Sequence, residues 1–215
     1  MGEVFAQSVK RRKHDKGECY LCGAPATTRD HIPPEGIFPN PLPQNLITVP
    51  ACLSCNQGKS LDDEYFRVVV AAGSDDAPPS IDLLHQRIIP RMRKKPALII
   101  ELIKSAEKVE QGHVLSFNRT RMQAAIDKIV RGLFFHHTKR RLAVGYVVGD
   151  FHYNSPIRRE MEEAITRLPL VKVGDGHVFN YSYHLDEEAV SESYWLLRFF
   201  NNNSQFFVET GPAPS

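Results

Sequence analysis

The chain predicts an α+β protein in which a metal-stapled N-terminal segment precedes a mixed region of helices and antiparallel strands. Three observations carry that expectation. All four cysteines fall in two Cys-x-x-Cys pairs, Cys19/Cys22 and Cys52/Cys55. The segment around them, from Glu18 to about Phe66, is dense in Cys, Pro, Gly and Asn. It has too few apolar runs to hold a core of its own without a staple. Beyond it the texture changes to a helical apolar stripe over 119–138 and then to a series of β-like runs.

Taken in order, residues 1–17 read as a basic arm containing Lys10-Arg11-Arg12-Lys13. Residues 33–43 carry too much proline for a helix or a central strand and read as a structured loop. Leu46–Pro50 reads as a short strand that ends at the second cysteine pair. Ser60, followed by Asp62, Asp63 and Glu64, marks a helix start that continues through Ala72. Gly73–Ser80 reads as a linker, which divides the chain into units at 18–72 and 81–215. Ile81–Val109 reads as one or two helices broken near Pro90 and Pro96. The stripe Met122, Ala125, Ile126, Ile129, Val130 and Leu133 predicts a helix over Arg119–Thr138, and Glu160–Arg167 predicts another. Leu142–Val148, Leu170–Val173, Val178–His184, Tyr194–Phe200 and Gln205–Glu209 are strand candidates.

Composition narrows the function. Hydrophobic residues make up 42% and charged residues 24%, which suits a globular domain. No apolar run approaches the roughly 20 residues of a membrane span, and no apolar stretch follows the basic N-terminus, so the expectation is a cytoplasmic protein with no membrane partner. Four cysteines are too few for a disulfide scaffold, and such pairs point to zinc. A net charge of +2 does not argue for nucleic acid by itself. Its distribution is more telling, with basic groups at Arg87-Arg91-Arg93-Lys94-Lys95, Lys139-Arg140-Arg141 and Arg158-Arg159. The competing reading of each cluster is a solvated face. His136-His137 and His177/His184 lack an acid or Cys at ligand spacing and do not predict a second metal site.

Asp30-His31, between the pairs, and Asn56, directly after the second, carry chemistry. Phosphodiester hydrolysis needs a base for water, which histidine supplies near neutral pH. It also needs a hard cation on oxygen ligands to stabilise charge on phosphate and leaving group. Neighbours on a strand face opposite ways, so one of Asp30 and His31 can hold metal while the other meets water. The alternatives are a surface ion pair of Asp30 with Arg29 or Arg67, an ordinary strand histidine, a turn role for Asn45 and a helix-cap role for Asn56.

Cys19-Tyr20-Leu21-Cys22-Gly23, Arg29-Asp30-His31-Ile32-Pro33, Asn45-Leu46-Ile47 and Cys52-Leu53-Ser54-Cys55-Asn56 together resemble the zinc-bound subtype of HNH endonucleases. The likeness spans residues 18–66, under a third of the chain. It implies a ββα-metal unit with structural zinc on Cys19, Cys22, Cys52 and Cys55. It implies His31 as general base, Asp30 and Asn56 as ligands of a catalytic Mg2+ or Mn2+, and Asn45 as the brace of the loop. Asn stands at the third signature position, where histidine is also frequent. The implied partner is DNA, with RNA, a protein partner and self-association left open, and Arg29, Lys59 and Arg67 are candidate nucleic-acid contacts. Gly58-Lys59-Ser60 lacks the rest of a phosphate-binding loop, so Lys59 reads at most as a backbone-phosphate contact. The rival reading from another class is a zinc-ribbon binding module without catalysis, or a subunit active only in a larger complex.

Overall fold

A hairpin built on strict side-chain alternation organises the N-terminal part. In a computed structural model the protein is described over residues 17–213, except 59, 75, 95, 105, 110–111, 154–163, 165–166 and 187–190. Strands β1 (Thr28–Ile32) and β2 (Ile47–Ala51) pair antiparallel, with Asp30 opposite Val49 and His31 opposite Thr48. Asp30 and Ile32 turn inward and are buried, whereas Arg29 and His31 lie on the outer side. The proline-rich loop between the strands holds one 3-10 turn, Glu35–Ile37. Helix α1 (Leu53–Gln57) follows β2 directly, and α2 (Ser60–Ala72) carries Asp62 and Asp63 in its first turn, where acids favour the helix dipole.

The expected linker at 73–80 is instead packed. Ser74 is buried with its hydroxyl 2.9 Å from that of Ser204, Ala77 is buried, and the Ser80 hydroxyl donates to the Ala71 carbonyl at 2.7 Å. Small side chains let this turn sit inside the protein, which a reading of turn-forming residues alone does not reveal. One hydrophobic cluster accordingly runs from Cys19 through Phe66, Ile126 and Phe134 to Trp195 and Val208.

Helix α3 (Pro78–Leu83) passes through a π-helical turn, Leu84–Ile88, into α4 (Ile89–Lys94). Pro90 therefore does not break the helix. Ile89 donates to the carbonyl of Leu84, five residues back, and this widened turn makes room for the proline ring. The expected break at Pro96 does occur, between α4 and α5 (Ala97–Lys104). The predicted helix then fails at its C-terminal end, where β3 (Ala106–Val109) and β4 (Gly112–Leu115) form an antiparallel hairpin. Glu107 and Lys108 favour helix locally, so pairing with β4 overrides their propensity.

Helix α6 (Arg119–Thr138) matches its expected range. The Asn118 side chain caps its N-terminus by accepting from the Arg121 amide, and Lys139 ends it in the left-handed region at φ 58°. It is followed by β5 (Tyr146–Val148), β6 (His152–Tyr153), β7 (Val171–Val173), β8 (Phe179–Leu185), β9 (Ser193–Phe199) and β10 (Ser204–Pro212). All pair antiparallel in the order β5-β10-β9-β8-β7, with β6 also against β10. The aromatic residues Tyr181, Trp195, Phe199 and Phe206 are core, and Phe66 of α2 meets the rings of Phe199 and Phe206 at 5.3 and 5.7 Å. The basic arm (residues 1–16), Lys59, Lys95, Arg158-Arg159 and nearly all of the expected 160–167 helix lie outside the described residues.

α6 packs on the hairpin, and Gly132 lies close against Ile32 of β1. A Cβ at that position would lie 2.5 Å from the Ile32 side chain, which is buried and β-branched and has little freedom to give. Gly132→Ala gains helix propensity worth about 1 kcal/mol. Overpacking costs about 1–3 kcal/mol. The expected result is a lower Tm, readable by thermal melting, because the clash wins.

Candidate metal centre and catalytic hairpin

The first cysteine pair sits on a tight turn. The Gly23 amide donates to the Cys19 carbonyl at 2.9 Å, the Cys19 amide to Ala24 at 2.8 Å, and Gly23 takes φ 79°, which glycine adopts without strain. The Tyr20 amide donates to Pro50 of β2, fixing this turn to the hairpin. The second pair is set by a helix start. Cys52 is the N-cap of α1, its sulfur accepting from the Cys55 amide at 3.4 Å and lying 3.1 Å from the Ser54 hydroxyl. Those donors pull the Cys52 thiol down to about 6, while burial and the neighbouring thiols push Cys55 up.

The two turns bring all four sulfurs within 4.8 Å of one another, and Cys22 and Cys52 are 3.7 Å apart. Zinc–sulfur bonds of about 2.3 Å in a tetrahedron put sulfurs about 3.8 Å apart, and a disulfide would put them at about 2.05 Å. The four cysteines are free and arranged to hold a metal ion such as zinc.

Asp30 and His31 part company as alternation requires. His31 is on the outer face with about a third of its side chain exposed, and its Nδ1 is 3.6 Å from the Glu35 carboxylate. Arg29 lies on the same face, its guanidinium bound to the Thr48 hydroxyl and carbonyl at 2.9 and 2.8 Å. Asp30 is 5% exposed. Its Oδ2 accepts from the Tyr20 hydroxyl at 2.9 Å and lies 3.2 Å from the Lys128 ammonium. Burial and the Asp30 charge push the Tyr20 phenol far up, so it is a donor. The alternative reading of Asp30 as a surface acid paired with Arg29 or Arg67 does not hold, since Asp30 is buried and its ion pair is with Lys128 on α6.

Lys128 is 1% exposed and also reaches Asp63 Oδ2 at 2.7 Å. Burial pulls the lysine down, but Asp63 and Asp30 together outweigh that pull and hold it raised and charged. Burial raises Asp63, with Lys128 acting against it. Counted formally, two carboxylates against one ammonium give this buried group a charge of −1.

Asn56 lies inside α1, and among the described residues its side chain caps no helix. Its Nδ2 donates to the Thr28 hydroxyl at 3.0 Å and to the Arg29 carbonyl at 3.1 Å. A carbonyl only accepts, so these bonds fix which amide atom is nitrogen and leave Oδ1 without a partner among the described residues. Thr28 and Asp30 share a face of β1, so Asn56 docks on the Asp30 side of the strand. Asp30 Oδ1 likewise has no partner among the described residues. These two oxygens are of the kind a hard divalent cation takes, and each is held by its own group's other polar atom, so the donor set fits such an ion.

Asn45 binds elsewhere. Its Nδ2 donates to the Lys172 carbonyl at 3.3 Å and its Oδ1 accepts from the Gly174 amide at 2.6 Å, clamping the loop before β2 to the β7–β8 turn. Arg67 is tucked against Gly36 with Glu64 3.6 Å away, and Glu64 also takes Arg91 at 2.5 Å, so Arg67 is held inside an ion cluster. His137 is half-buried, 2.8 Å from the Tyr181 hydroxyl and stacked on Tyr183; burial and then His136 pull it down to about 4.

Tyr20, Glu35, Asp63 and Lys128 are the participants a motif reading passes over. The available signal for Lys128 was its place beside the apolar stripe of α6, between Ala125 and Ile129. No family model, curated protein or solved structure matches the chain. No helix among the described residues is long and apolar enough to cross a membrane.

Proposed function

We propose that the protein is a divalent-metal-dependent endonuclease of the HNH kind that hydrolyses phosphodiester bonds in DNA, on a frame stapled by zinc at Cys19, Cys22, Cys52 and Cys55. The observation that carries this reading is the division of labour on β1. His31 faces outward, while Asp30 and Asn56 sit on the other side, each pinned and each with one oxygen free.

In the reaction His31 accepts a proton from water as the water oxygen bonds to phosphorus. The P–O3′ bond breaks, leaving a 5′-phosphate and a 3′-hydroxyl, the leaving oxygen taking a proton from solvent. Glu35, near Nδ1, favours the imidazolium that forms, so Nε2 faces the water. Arg29 offers a cation on the same face for a non-bridging phosphate oxygen. Asp30 and Asn56 would hold Mg2+ or Mn2+, which supplies Lewis-acid stabilisation of the charge on phosphate and leaving group.

The test is supercoiled plasmid incubated with zinc-loaded protein, with and without Mg2+ or Mn2+. Nicking or linearisation that needs the added ion is expected. Protein that retains zinc and DNA affinity but cuts neither DNA nor RNA with any divalent ion would instead be a binding module.

A further inference from the structure

Lys128 is a fully buried lysine that the proposed reaction does not use. A fully buried ammonium is costly unless its partners repay it, and here both partners come from other elements, Asp30 of β1 and Asp63 of α2. The geometry around Asp30 is selective. Tyr20 and Lys128 both engage Oδ2, and none of the described residues engages Oδ1. Two anchors on one oxygen remove the carboxylate's freedom to rotate and determine which oxygen remains for a ligand. An ammonium alone would also cancel the charge that attracts a cation. Asp63, closer to Lys128 than Asp30 is, offsets that effect.

We propose that Lys128, with Tyr20 and Asp63, is a positioning device for the divalent ion: it orients Asp30 through Oδ2 and leaves Oδ1 and one net negative charge for the cation. The inference rests on the proposed ion site and deepens it. It places part of that site on α6, in the half of the chain where no motif carries chemistry. It also ties the cysteine frame to the ion, because Tyr20 lies between Cys19 and Cys22.

The test is Mn2+ affinity by isothermal titration calorimetry on the zinc-loaded full chain, each variant held below its own melting temperature with zinc content checked. Outer partners of ligands typically affect metal affinity by about 10–100-fold. Lys128→Met is expected to weaken Mn2+ binding by that order, and Tyr20→Phe by several-fold with little loss of Tm. Tyr20→Phe keeps the proposal open to refutation if Lys128→Met fails to fold. Asp63→Asn is expected to weaken binding as well, since the group then loses its excess negative charge. Unchanged or tighter Mn2+ binding in Tyr20→Phe and Lys128→Met, with binding lost in Asp30→Asn, would overturn the positioning role and leave the ion site standing. Absence of Mn2+ binding by the wild type, or binding indifferent to Asp30→Asn, would overturn the ion site and this inference with it.

Discussion

Replacing Cys52 by serine, or stripping the metal with a strong chelator, is expected to unfold the two cysteine turns and α1. The reasons are local. The two cysteine turns are short, α1 spans only Leu53–Gln57, and none of the α1 residues is buried. Little apolar burial holds α1, so a metal ion on four sulfurs contributes most of what keeps it against the hairpin. Structural zinc in small units is worth about 10–16 kcal/mol in apparent terms at neutral pH. Loss of the site therefore removes more stability than any single core truncation would. Cys52→Ser isolates the metal, because a serine hydroxyl can still cap α1 where the Cys52 sulfur accepts from the Cys55 amide. The measurements are zinc content by atomic absorption and near-ultraviolet circular dichroism with and without chelator. A chain that keeps its melting curve without metal would contradict the staple.

Lys128→Met is expected to give the second-largest effect, a loss of stability that accompanies its weaker Mn2+ binding. Removing one member of a buried ion pair leaves uncompensated charge and costs about 3–5 kcal/mol. For a chain of this size that is a fall in Tm of roughly 6–20 °C. Here two carboxylates are stranded, and Asp63 already has an Oδ1 that is sealed from solvent without a partner among the described residues. Neutralising the stranded charge should recover part of the loss, so Lys128→Met/Asp63→Asn is expected to melt above Lys128→Met alone. A double-mutant cycle reads the coupling directly. Additive effects would mean that the pair is not coupled as its 2.7 Å separation implies.

How far the sequence reveals this arrangement depends on the range of the contact. The cysteine cluster is legible because its four side chains lie in a short segment with characteristic spacing. Helix α6 is legible because a twenty-residue stripe repeats its period many times. Lys128 is not, because a lysine among apolar neighbours is ordinarily a solvated one, and its partners come from β1 and α2. The packed turn at 73–80 is hidden for a related reason: Ser74 and Ser80 are polar in sequence, and only their partners, Ser204 and Ala71, make burial affordable. Pro90 misleads because the rule that proline breaks helices assumes an α-helical turn before it, and here that turn is π-helical. Asn45 shows both sides, since bracing of the loop is expected, yet the brace comes from Lys172 and Gly174 in the C-terminal sheet.

The most direct measurement is the rate of plasmid cleavage by His31→Ala against wild type at equal zinc content and saturating Mg2+ or Mn2+. His31 is partly exposed on the outer face of β1, so its removal should leave folding and zinc intact. Loss of a general base lowers the rate by about 10²–10⁴-fold, and that loss at unchanged Tm is the predicted result. Equal cleavage by the two proteins, or none by either under any divalent ion, would contradict the nuclease account.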